Sequence, residues 1–419
     1  MSERIGLKPD RRMLAAAAGL SVAVALIYAY VCYFMVAPDG PVYSDVHTQI
    51  RYMEEWYDTG ALPDMCQAYP LFYYLVRFLN FLMHDWVIVM MSFCLVWTWL
   101  SNFLQIVLIR MMCGPGSERY SIIAGSALSF VWPISLKYSF LTGSSSEDML
   151  LERVLLTSGS ANPTQSLTYL LAKPFALVAL CAFIYILDSA RDQKVSGAVI
   201  VFTVSLFLSV VAKPCFYQTF APAGVIVTVA WFLRRRDRGS FVRALTIAAG
   251  YLPATIWVLY AMSYKLSPYV ISPLEGIRMY SDGTPIPVAL IRAVVYSLAV
   301  FVCMIAIRKI NLGLVSGVII WLFGVGEFLL LIEVENPGWL SMGWGLYISI
   351  YAFFATAIIA LYRMKAALQV GEEPAGERGC AVMRIMYPAC NVLLAIHTAF
   401  GLAVFIINVA PWWIDKLGI

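Results

Sequence analysis

The sequence predicts an all-α, polytopic transmembrane helical bundle of about eleven spans, and three observations carry that expectation. Hydrophobic residues make up 61% of the 419 and charged residues only 13%. Mean hydropathy is +0.78, far from the balance of a soluble domain. Apolar runs of about twenty residues, the length that matches a bilayer's hydrocarbon core, recur along the whole chain. The loops between them alternate in charge without a break.

The runs fall at about 13–36, 86–111, 119–141, 166–188, 196–213, 217–234, 243–262, 286–307, 312–332, 341–362 and 385–410. The first is longer than a signal-peptide core and lacks a small-residue cleavage site, so it reads as a retained anchor. The fifth and sixth are shortish runs separated at Lys213-Pro214, where proline forces a break. With the N-terminus inside, 19 of the 29 basic residues fall in inner segments, the Arg234 to Arg243 group foremost. Carboxylates lean outward, from Asp45, Glu54 and Glu55 to Glu333 and Glu335. Positive-inside bias therefore gives an N-in, C-out, multi-pass chain, read as one transmembrane domain over 1–419 with no soluble domain.

Three outer segments exceed what a turn requires: about 37–85, 142–165 and 263–287. In the first, Ser44 reads as an N-cap and Val46, Ile50, Met53 and Tyr57 recur at helical spacing until Gly60. Tyr69 to His84 is aromatic, broken by Arg77 and Asn80, and reads as a helix lying in the membrane interface. Nine cysteines are scattered without a C-x-x-C pair. Cys66 and Cys215 alone sit near the outer face, where buried free thiols are the better reading than a disulfide.

Four cations near outer span ends stand against the charge pattern: Lys137, Lys173, Lys213 and Arg292. A cation in hydrocarbon costs roughly 2.5–3.5 kcal/mol on insertion scales, so it is kept when paired, hydrated or functional. Each is either a holder of a lipid phosphate or half of a salt bridge to Glu147, Asp148, Glu327 or Glu333. Asp45, at the mouth of the first span, is either a general base or a carboxylate that favours a helix dipole. His47 follows two residues on, about 200° around a helix, and is a substrate contact or an exposed histidine. Trp339 and Trp344 flank a short outer turn and are either part of the interface aromatic belt or surfaces that stack on a sugar. Asn162 lies in the Ser-rich second outer segment. Three isolated histidines argue against a histidine-built metal site, and the cysteines show no metal-ligand spacing. Walker, H-E-x-x-H and G-x-S-x-G motifs are absent, which removes support for nucleotide hydrolysis and zinc proteolysis, and nothing points to nucleic acid.

The segment YSDVHTQIRYMEEW, an aspartate-bearing first outer loop directly after the first span, resembles the integral-membrane glycosyltransferases of the GT-C superfamily. The segments NPTQSLTYLLAKPF (Asn162 to Phe175) and AKPCFYQTFAP (Ala212 to Pro222) are similar to a poorly characterised bacterial branch with this layout. The resemblance implies sugar transfer at the outer face of a bacterial cytoplasmic membrane, from a polyprenyl-phosphate donor to a glycan, lipid or protein acceptor, with inversion at the anomeric centre. It implies Asp45 as base, and Lys173, Lys213, Arg292 and Lys137 as holders of the donor phosphate. His47, Asn162, Trp339 and Trp344 are then substrate contacts. A divalent metal is left open, since outer carboxylates could bind one and the cations could replace it. The chain departs from the superfamily in lacking an adjacent acidic pair, Asp45 being followed by Val46, and a soluble C-terminal domain. A flippase of a lipid-linked glycan would use the same cations without a base, and a non-catalytic assembly subunit would need neither.

Overall fold

The computed structural model describes residues 10–37, 44–132, 134, 166–189, 194–264, 269–273, 286–307, 310–334, 343–369 and 376–407. Lys137, Asn162 and Trp339 lie outside the described residues, as do Glu147 and Asp148.

Among the described residues the secondary structure is helical apart from one short strand pair. In order it runs α1 (Arg11–Val36), α2 (Val46–Thr59), α3 (Asp64–Gln67), α4 (Leu71–Met83), α5 (Trp86–Cys113) and α6 (Glu118–Phe130). Then follow α7 (Leu167–Asp188), α8 (Ser196–Ala212), α9 (Cys215–Arg235), α10 (Arg238–Ala261), β1 (Tyr269–Ile271) and α11 (Ile286–Ala306). The chain continues with α12 (Leu312–Leu330), β2 (Leu331–Glu333), α13 (Gly343–Gln369) and α14 (Gly376–Ile407). Among the described residues, eight helices are long and apolar enough to cross a membrane. The expected spans at 196–213 and 286–307 are helical as well, α8 being only 17 residues. The span expected at 119–141 is helical over 13 residues and leaves the helix at Val131. The ninth expected span also ends early: its last residues pair as β2 with β1, antiparallel, with Tyr269 opposite Glu333.

α7 and α13 form the centre, with 83% and 94% of their apolar stretches buried, against 22% for α14. A helix apolar all round needs neighbours on every side, and these two have them. Around them α1 packs on α5, α8 on α7 and α10, α9 on α12, and α11 on α13 and α14. Large apolar side chains face outward from the outer helices, among them Ile200 on α8, Ile256 and Leu259 on α10 and Ile385 on α14. In water such a surface would be an aggregation site; in lipid it is solvated.

Polar contacts within the bundle join helices in place of the hydrophobic effect, which lipid does not supply between them. Ser21 donates to Asn102 (2.9 Å), Asn102 to Ser129 (2.8 Å), Ser129 to Gln105 (2.8 Å) and Gln105 to Tyr351 (3.0 Å). This seam ties α1, α5, α6 and α13. At one end of the bundle the basic residues gather: Arg110 pairs with Glu118 at 2.6 Å and Arg363 with Asp188 at 2.8 Å. Arg243 there donates to the carbonyls of Ile186 and Ser189, which closes the C-terminus of α7.

The first loop folds much as its sequence suggests. Ser44 Oγ accepts from Val46 N (3.2 Å), and Gly60 ends α2 with φ +74°, a left-handed cap that glycine adopts without strain. The buried stripe of α2 is a correction, being Val46, Gln49, Met53 and Trp56 rather than Val46, Ile50, Met53 and Tyr57. The helix is rotated because Gln49 turns inward to a polar partner while Tyr57 is left exposed. The polar breaks of α4 hold it to α2: Arg77 stacks on Trp56 at 4.1 Å, and Asn80 donates to Tyr57 (3.2 Å). Cys66 and Cys215 are buried free thiols.

α12 and α13 meet through glycine. A Cβ on Gly317 would collide with Thr356, and one on Gly324 with Ser349, two pairs spaced seven residues apart on each helix. Gly326 faces open space. Gly324→Ala is expected to destabilise the protein by about 1–3 kcal/mol through overpacking. Gly326→Ala should be neutral or stabilising by up to about 1 kcal/mol, since alanine is the better helix former. Thermal unfolding in detergent checks the pair, and equal midpoints for both variants would show that the helices do not meet here.

Candidate functional site

The site begins at the break between α8 and α9. Proline disfavours helix in the residue before it, so Lys213 leaves the helix in an extended conformation (φ −169°, ψ 123°) and Pro214 starts α9. The Lys213 side chain then lies against the N-terminus of α7. Its Nζ donates to Ser166 Oγ (3.1 Å) and Thr168 Oγ1 (3.3 Å), and sits 4.0 Å over the ring of Trp344 at the start of α13. Three helices, α7, α9 and α13, thus begin around one half-buried ammonium. Helix N-termini present unpaired amides and the positive end of the dipole, so an anion is favoured where they converge with a lysine.

Asp45 joins this cluster from α2. Burial pushes its carboxyl above the ordinary aspartate value, while the Lys213 ammonium and then the Ser166 hydroxyl pull it back down. Ser166 is also in contact with Gln49, whose Nε2 donates to it at 3.4 Å, and with Thr168 at 2.9 Å. Carboxylate and ammonium therefore share a hydroxyl neighbour.

Lys173 lies deeper on the same side of α7. Trp344 stacks near Tyr169 at 5.1 Å, and Lys173 Nζ lies 5.3 Å from the Tyr169 ring and 4.9 Å from that of Tyr351. An aromatic line thus leads from Lys213 to Lys173. The Lys173 side chain is only 6% exposed and borders a cavity of about 20 Å³, room for about one water, with Trp132, Tyr347 and Phe354. Among the described residues neither lysine is paired with Glu327, whose carboxylate has a buried oxygen without a hydrogen-bond partner, packed against Gly345. Among the described residues, Lys173 is held by cation–π contact.

Other expected residues stand apart. His47 is exposed and on another face of α2, as its spacing from Asp45 requires. Arg292 is half-buried on α11, which packs on α13 and α14, and is not among the partners of Lys213. Among the described residues no group of three His, Cys, Asp or Glu side chains is placed to hold a metal ion. Sequence reasoning missed Ser166, Thr168 and Gln49. The signal for Gln49 was its position one turn after Asp45; Ser166 and Thr168 had only their place at a span's outer end.

No family model matches the chain, and no curated protein is significantly similar to it. The geometry must carry the functional reading.

A carboxyl held above its usual value binds its proton more tightly folded than unfolded, so ionising it lowers stability. That loss is absent below the ordinary aspartate range, about pH 4, and grows as pH rises through the raised value. Asp45→Asn should therefore unfold at no lower a temperature than the parent at pH 7.5, with the two converging toward pH 4. Thermal unfolding across pH measures this, and a marked destabilisation at pH 7.5 would make Asp45 a structural residue.

Proposed function

We propose that this chain is a membrane glycosyltransferase that moves a sugar from a polyprenyl-phosphate donor to an envelope acceptor. The observation that carries the reading is the Asp45, Ser166 and Lys213 constellation where three helices begin. It sets an acidic group of raised proton affinity beside a cationic pocket suited to a phosphate. In a chain whose described residues include eight membrane-length helices, a lipid-linked phosphate is the anion that can reach such a pocket laterally. The basic end with Arg110, Arg243 and Arg363 would face the cytoplasm of a bacterial cell, and the Asp45 end the outside.

In this mechanism Lys213 and the first turns of α7, α9 and α13 hold the donor phosphate. Asp45 takes the proton of an acceptor hydroxyl as its oxygen attacks the anomeric carbon. The bond from that carbon to the phosphate oxygen breaks on the opposite face, and the electron pair leaves on the phosphate, where Lys213 stabilises it. One displacement inverts the centre. Trp344 is placed to pack on the sugar or lipid while its other neighbours fix it, and Lys173 lies too deep for the same phosphate contact without movement of the aromatic line.

Two changes test this. Asp45→Asn should lower sugar transfer by roughly 10²–10⁴-fold while polyprenyl phosphate still co-purifies, as read by mass spectrometry of bound lipid. Lys213→Ala should lose the bound lipid. If Asp45→Asn leaves the cell's glycan output unchanged, the chemistry is absent and the protein only carries the lipid.

A further inference from the structure

The hairpin between α9 and α10 gathers Arg234, Arg235, Arg236, Arg238 and Arg243 around a single carboxylate, Asp237. Two of these arginines serve the protein itself. Arg235 stacks on Trp231 at 4.8 Å, and Arg243 closes the end of α7. Arg234, Arg236 and Arg238 are exposed and form no ion pair among the described residues. Asp237 is turned onto α10, where its carboxylate accepts from Ser240 N (3.0 Å) and Ser240 Oγ (2.9 Å) as an N-cap. Arg236 ends α9 in the left-handed region (φ +50°), a position glycine fills with less strain, and so sets a guanidinium at the tip of the hairpin.

Positive charge alone is what any inner loop carries. The register of Arg238 says more. It lies seven residues before Leu245 and fourteen before Leu252, so the three share one face of α10. That face runs on through Ile256 and Leu259, and all four apolar side chains are exposed. In a bilayer an acyl chain covers such a stripe, and a chain lying along it ends in its headgroup at Arg238. Leu233, Phe241 and Val242, also exposed, border the arginines with apolar surface. The hairpin therefore offers one ligand a place for both hydrocarbon and phosphate. It is separate from the Lys213 cluster, because α9 begins at that cluster and bears the arginines at its other end, about 30 Å away at 1.5 Å per residue.

We infer that the α9–α10 hairpin is a binding site for an anionic glycerophospholipid. Arg234, Arg236 and Arg238 hold its phosphodiester, to which guanidinium forks are matched, and an acyl chain lies along Leu245, Leu252 and Ile256. A choline lipid brings its own cation to the same place and is the weaker ligand.

The test uses the full chain stripped of lipid in a neutral detergent. Dioleoylphosphatidylglycerol or dioleoylphosphatidylcholine is added back, and bound lipid is counted by native mass spectrometry. Wild type should hold the glycerol lipid more tightly than the choline lipid. Each arginine at a membrane surface is worth about five-fold, so Arg234→Gln with Arg238→Gln should weaken the glycerol lipid about 25-fold. Arg119→Gln with Arg384→Gln removes the same charge from exposed positions on α6 and α14 and should change binding by about two-fold at most. Arg234→Lys with Arg238→Lys keeps the charge and should retain most of the affinity. Excess inorganic phosphate should not displace the lipid, since it has no chain for the stripe. Equal affinity for the two lipids, equal losses in the two glutamine pairs, or displacement by phosphate overturns the site. A loss in the lysine pair as deep as that of Arg234→Gln with Arg238→Gln places the effect in the fold and overturns it too.

Discussion

The placement of the Lys213 ammonium is the constraint on which the rest of the site depends. A lysine that reaches into a helical bundle needs donors' counterparts or a negative partner, because desolvating the charge is costly. Here two hydroxyls and an indole face supply that environment, with a carboxylate near enough to be felt. They come from three helices, the two hydroxyls from α7, so satisfying one ammonium fixes α2, α7 and α13 relative to the α8–α9 break. Proline at 214 is what makes the arrangement accessible, since an unbroken helix would keep Lys213 on a helical face.

That arrangement works only if α13 approaches α9 and α12 closely. The glycines of α12 permit this: Gly317 and Gly324 admit Thr356 and Ser349 where any side chain would hold the helices apart. Gly345, one residue after Trp344, leaves room for the Glu327 carboxylate in the same way. Packing of small residues thus sets the height of Trp344, and Trp344 in turn covers Lys213. The functional end of the bundle is positioned from its middle, where the Ser21 to Tyr351 seam and the α12–α13 contact lie.

What the sequence made legible follows from which physical signals are local. Span length and hydropathy are local, so the helical membrane-type fold was readable from the runs that became α1, α5, α7, α9, α10, α12, α13 and α14. The break at Lys213-Pro214 and the Gly60 cap were readable for the same reason. Strand pairing between β1 and β2 was not, because it joins segments some sixty residues apart by backbone alone. The site was half legible. Charged residues out of place drew attention to Asp45, Lys173 and Lys213, but Ser166 and Thr168 carry no charge to mark them, and their role exists only once α7 meets the α8–α9 break. The rotation of α2 was misread because hydrophobicity alone assigns Gln49 to the outside.

The pairing of Asp45 with Lys213 presents a balance that a purely structural ion pair would not need. Closer contact would hold the carboxyl low and make it a weak base; complete separation in an apolar pocket would keep it protonated and make it no base at all. Burial lifts its proton affinity, and Lys213 and Ser166 limit how far. An arriving phosphate shifts that balance in a defined direction. Its negative charge draws on the Lys213 ammonium and adds repulsion at Asp45, so donor binding raises the proton affinity of the carboxylate. The base is then strongest when the leaving group is in place, and the same lysine that tempers it in the empty site receives the charge that the reaction releases.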